Sequence, residues 1–94
     1  MNSKIKALIA RYDLELQKVD IEVLEIRDRV SSPEDPYPLN HARWMINQML
    51  DNPEVFESNI PKTNRWLGFI QAILWMEDVR GILKLREEST GIDN

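Results

Sequence analysis

The chain has 94 residues, a net charge of -4 and no cysteine. That length makes one domain, which buries only about 60–65% of its unfolded surface, so a partner subunit would help. The lack of cysteine excludes disulfides and thiolate metal sites and suits a reducing cytoplasm, and the negative balance argues against a general duplex-DNA binder.

With 43% hydrophobic and 30% charged residues, the chain reads as globular rather than disordered. MNSKIKALIARYD at the start lacks the unbroken apolar core of a signal peptide. No stretch approaches the ~20 apolar residues of a membrane span.

The first predicted element is one long helix. Ile5, Ile9, Tyr12, Leu16, Val19, Val23, Ile26 and Val30 alternate in steps of four and three, a heptad seam. Ser3 is placed to cap it, and Ser31, Ser32 and Pro33 to end it. Leu8, Leu14, Ile21 and Leu24 widen the apolar stripe. Residues 4–30 would span roughly 40 Å, against a globule diameter of about 32 Å for a chain this size. Such a helix overhangs its own domain and asks for cover from outside the monomer.

SSPEDPYPLN (31–40) is a proline-rich loop. Asn40 reads as the cap of a second helix, with Ala42, Met45, Ile46, Met49 and Leu50 on one face. DNPEVFESNIP is a break in which Pro53 opens one turn through Phe56. Pro61 suits the first position of a third helix. On a 100° wheel, Trp66, Leu67, Phe69, Ile70, Ile73, Leu74 and Met76 form its core half. Trp75 falls opposite, near Asn64, Gly68, Gln71 and Ala72. Three readings of Trp75 stand: packing within its own chain, a subunit interface, or ligand contact. Gly81 is placed to bend or divide this helix before LKLREES. The fold class expected is all-α: a small bundle of one long N-terminal helix and two further helices, single-domain over 1–94, assembled as an oligomer.

Catalytic signatures are thin. His41 is the only histidine, with no second histidine or cysteine to build a nucleophile–base pair. The carboxylates are dispersed, with no metal cage or acid–base pair, and Glu25–Arg29 and Lys84–Glu88 read as helix-surface pairs. No enzyme, cofactor or metal is expected. Binding is the remaining class. Basic residues gather as Lys4, Lys6 and Arg11; as Arg27, Arg29 and Arg43; and as Lys62 and Arg65 at a helix start. The last set suits an anion, although solvated surface charge is the commoner role for any one of them. Tyr12 sits in the helix seam, either as core or as a platform for a base.

The segments LNHARWMINQM and KTNRWLGFIQAILW, with an IARYDLELQKVD helix before them, resemble the small phage proteins that counter CBASS immunity by sequestering cyclic nucleotide signals. The similarity covers most of the chain. It implies a helical homohexamer built from dimers, acting in the host cytoplasm during infection. It implies binding of cyclic dinucleotides between protomers without cleavage and, as in some members of the family, of cyclic trinucleotides at a separate site. The family's stacking tyrosine falls on Tyr12, its basic phosphate contact on Arg27, and its trinucleotide-contacting arginine on Arg65. Asp13 stands where the family has asparagine. An anionic side chain facing phosphate weighs against trinucleotides and leaves room for cyclic ADP-ribose-type signals. Tyr12 and Arg27 are roughly 22 Å apart along one helix, so a single ligand would need two antiparallel copies. The alternative function is a helical protein–protein interaction module with no small ligand.

Overall fold

The computed structural model describes residues 2–26, 38–77 and 87–88. All regular structure among them is helical: α1 (Ser3–Lys18), α2 (Pro38–Asp51), α3 (Pro53–Glu57) and α4 (Ile60–Met76). Arg27, Arg29, Val30, the loop prolines Pro33 and Pro36, Gly81 and Lys84 lie outside the described residues.

α1 has no glycine or proline and is rich in good helix formers. Asn2, rather than Ser3, caps it: its side-chain oxygen accepts from the Lys4 N–H at 2.7 Å. Ile5, Leu8, Ile9, Tyr12 and Leu16 form its buried stripe. α2 starts with Pro38, whose missing N–H costs nothing in a first turn. Asn40 is therefore inside the helix and buried, not its cap. α2 contributes Met45, Ile46 and Met49 to the core, and α4 contributes Leu67, Ile70 and Leu74. The predicted turn from Pro53 is present as α3, which sets Phe56 into the same core. Thr63, buried on α4, donates its hydroxyl to the Phe56 carbonyl at 2.6 Å and fixes the α3–α4 corner. Asn59 caps α4 by accepting from the Lys62 N–H at 3.1 Å.

The long N-terminal helix is corrected. α1 stops at Lys18, and residues 21–26 are not helical. Asp20 takes a left-handed φ of 58°. Its N–H donates to the Gln17 carbonyl at 3.0 Å, and the Ile21 N–H donates to the Leu16 carbonyl at 2.9 Å. That pair of bonds is a Schellman stop, here with aspartate in place of the usual glycine. Ile21 and Leu16 both pack on the core, which supplies the apolar contact that accompanies the motif. With the helix cut short, the overhang disappears. The seam is interrupted, and Val19, Val23 and Leu24 are exposed rather than packed on a neighbour.

The apolar half predicted for α4 is also corrected in part. Leu67, Ile70 and Leu74 are buried, but Phe69 and Met76 face solvent at 55% and 74% exposure. Trp75 is half exposed, on the outer side with Gly68.

Replacement of Asp20 separates a stop from a continuous helix. At a left-handed position, Asp20→Gly relieves backbone strain, and stability should rise by about 0.5–1 kcal/mol. Glycine inside a continuous helix would lower it by about 1 kcal/mol. Urea denaturation of the two proteins reads the sign directly.

Candidate functional site

The segment 21–26 is held to α2 by side chains that a sequence pattern would assign to a solvated face. Asn40 donates from Nδ2 to the Glu22 carbonyl at 2.9 Å, and the Leu24 N–H donates to the Asn40 carbonyl at 3.3 Å. Arg43 donates from Nη1 to the Ile21 carbonyl at 2.7 Å and from Nε to Asp13 Oδ1 at 3.0 Å. Asn47 donates to the same Asp13 oxygen at 3.0 Å. Asp13 and Arg43 are largely covered, at 13% and 18% side-chain exposure. Charge-assisted bonds of this kind are shorter and stronger than neutral ones. Asp13 is thus a structural partner of Arg43 and Asn47 across the α1–α2 seam.

His41 completes the contact. Its Nδ1 accepts from the Ile26 N–H at 3.0 Å, so the ring is neutral with its proton on Nε2. It stacks on Trp44, with centroids 5.3 Å apart and planes at 20°, and meets Phe69 edge-on at 6.4 Å. Trp44 lies 6.1 Å from Trp66, and Trp66 lies 5.0 Å from Phe56. Five rings from α2, α3 and α4 therefore form one run. Lys62 Nζ caps its far end, 5.3 Å from the Phe56 centroid and 5.4 Å from that of Trp66, within cation–π range. On α4, Lys62, Arg65, Trp66 and Phe69 fall within about 100° of one another. This aromatic and basic face is the candidate binding surface.

The residues singled out from sequence are not gathered in one place. Arg65 is exposed on the α4 part of this face. Tyr12 is elsewhere, at 0% exposure, with its ring in the core. Its hydroxyl donates to Glu88 Oε1 at 2.8 Å and accepts from Gln71 Nε2 at 3.3 Å. Arg65 lies about 120° around α4 from Gln71, so Arg65 and Tyr12 do not share a site within one chain. Arg27 is outside the described residues. His41, Trp44 and Trp66 do not stand out as a unit from hydrophobic periodicity. The available signal was spacing: His41 and Trp44 are three apart on one helix, as are Trp66 and Phe69 on another, so each pair shares a face.

Among the described residues no group of acidic, histidine and cysteine side chains is placed to hold a metal ion, and no helix is long and apolar enough to cross a membrane. Comparison of the chain with protein-family models, curated proteins and solved structures finds no significant match.

Two outcomes follow from this geometry. Burial lowers the His41 pKa below its usual value, and Glu25 opposes the shift only in part. The neutral ring is the folded form, so its contribution to stability is complete above about pH 6.5 and declines as pH falls below that. Chemical denaturation at pH 7.5 and 5.5 should show wild type losing more stability than His41→Gln. The second outcome concerns Tyr12. Tyr12→Ala should cost about 3–5 kcal/mol through the cavity it leaves, whereas a Tyr12 used only for ligand contact would leave thermal melting unchanged.

Proposed function

We propose that the protein is a non-catalytic capture protein for cyclic nucleotide immune signals, as the resemblance to anti-CBASS sequestering proteins implies. The observation that carries the reading is the aromatic face of α2 and α4. Phe69 is 55% exposed beside His41, and Lys62 and Arg65 stand on the same quarter of α4. Exposed rings accept a base by stacking, and flanking cations accept the phosphate. These cations occur in a chain of net charge -4, so the basic character is local. Cyclic dinucleotides are the first ligand class in this proposal, with cyclic trinucleotides and cyclic ADP-ribose-type signals as further members. The ligand is held intact, in the cytoplasm of an infected host.

The proposal includes assembly as a homo-oligomer, with a hexamer built from dimers as the form implied by the resemblance. Its support in the chain is the outer side of α4, where Ala72, Trp75 and Met76 are exposed. Gly68 lies among them, and a Cβ there would meet nothing within 4 Å. A glycine inside a helix costs about 1 kcal/mol relative to alanine, and among the described residues no neighbour requires one at this position. The same exposed side favours the second reading, a protein–protein interaction module, since apolar patches of this kind mark association surfaces.

Calorimetry against a panel of cyclic di- and trinucleotides separates the two readings. Under the capture reading, Phe69→Ala should weaken binding by about 1–3 kcal/mol, and Arg65→Ala should weaken it and flatten its salt dependence. The ligand should be recovered intact after denaturation. Light scattering at micromolar concentration should show an oligomer of even order. No binding to any member of the panel by a folded oligomer would leave the interaction module as the function.

A further inference from the structure

The aromatic face of α2 and α4 carries polar atoms as well as rings, and they are of one kind. The indoles of Trp44 and Trp66 donate hydrogen bonds and cannot accept them, and the same holds for Lys62 and Arg65. The one side-chain acceptor of the run is His41 Nδ1, and the Ile26 N–H takes it at 3.0 Å. That bond places the remaining proton of the neutral ring on Nε2, so the imidazole too offers only a donor. Burial keeps His41 in this neutral form. Among the described residues, the His41 Nε2–H, both indole N–H groups and the Lys62 and Arg65 head groups have no hydrogen-bond or ion-pair partner, and none of these atoms is shut away from solvent. Glu25, on the segment after α1, is the acid whose charge reaches the His41 ring.

A base stacked on the exposed ring of Phe69 lies beside His41, which meets Phe69 edge-on at 6.4 Å. Such a base turns one edge toward donors, and base edges differ in what they offer. Guanine presents N7 and O6, two adjacent acceptors with no donor between them. Adenine sets its N6 amino donor beside N7, and cytosine presents its N4 amino group. A donor brought against donors loses its water and gains no partner, which is unfavourable. We propose that the aromatic face selects guanine, with the His41 Nε2–H donating to N7 of the stacked base. The proposal rests on the capture reading and names the base that reading leaves open. His41 acts here as a specificity-determining residue, aimed by the Ile26 N–H.

Calorimetry on the full chain tests it with cyclic di-GMP, cyclic di-AMP and the 7-deazaguanine analogue of cyclic di-GMP, in which a C–H replaces N7. Wild type should bind cyclic di-GMP about tenfold or more tightly than either of the others, as the loss of one hydrogen bond per site requires. The analogue keeps both phosphates and the stacking surface, so its deficit reads the N7 bond. In NMR spectra the His41 Nε2–H proton should move downfield with cyclic di-GMP and hold its place with the analogue. His41→Asn offers an amide oxygen to the Ile26 N–H and removes the Nε2 donor, and it should bind cyclic di-GMP and the analogue equally. If that variant does not fold, the analogue and wild type decide the question between them. Glu25→Gln should leave the preference for guanine in place; loss of the preference there would mean that the carboxylate reads the base and would overturn the proposal. Equal binding of all three ligands, still weakened by Phe69→Ala, would overturn it and leave the capture reading standing. No binding of any of the three would overturn both.

Discussion

Arg43 reaches two parts of the chain at once, the Asp13 carboxylate on α1 at 3.0 Å and the Ile21 carbonyl beyond the α1 stop at 2.7 Å. The rest of the arrangement depends on this double contact. It ties α1 to α2 and holds the segment 21–26 in a non-helical path along α2. Backbone groups leaving a helix need new partners, or they cost free energy comparable to lost hydrogen bonds. Here the partners are side chains of one helix, Asn40, His41 and Arg43. The helix stop and the polar face of α2 are therefore two halves of one feature.

That path has a consequence for the aromatic face. The Ile26 N–H engages His41 at Nδ1, which fixes the ring plane on which Trp44 stacks and against which Phe69 stands edge-on. The segment after α1 thus sets the near end of the ring run, and Lys62 covers the far end over Phe56 and Trp66. A surface assembled from three helices in this way presents rings in fixed relation, which lowers the ordering cost of stacking a planar ligand.

Much of the fold was legible from residue patterns. All-α character, the core stripe of α2, the single turn from Pro53 and the start of α4 near Pro61 follow from periodicity and proline placement. The core positions Leu67, Ile70 and Leu74 were legible for the same reason. The predicted site was less so. Tyr12 was readable as either core or platform because a tyrosine at a seam position has both an apolar ring and a polar tip. The structure buries the ring and leaves the tip to Glu88 and Gln71.

The amino-acid sequence by itself determined the class of fold, most of the buried positions and the lack of thiol chemistry, because these depend on local spacing and composition. Only the tertiary structure decided where α1 ends. Val19, Asp20 and Ile21 continue a heptad pattern as well as they begin an extended segment, and Asp20 is a rare occupant of a left-handed stop. What tips the balance is a set of partners on α2, roughly twenty residues further along the chain, that accept and donate to 21–26 in place of helical bonds. The outward turn of Phe69 and Met76 was likewise decided by packing. A helix this apolar has more hydrophobic positions than α2 and α3 cover, and which remain in solvent is set by how the packed helices lie against it.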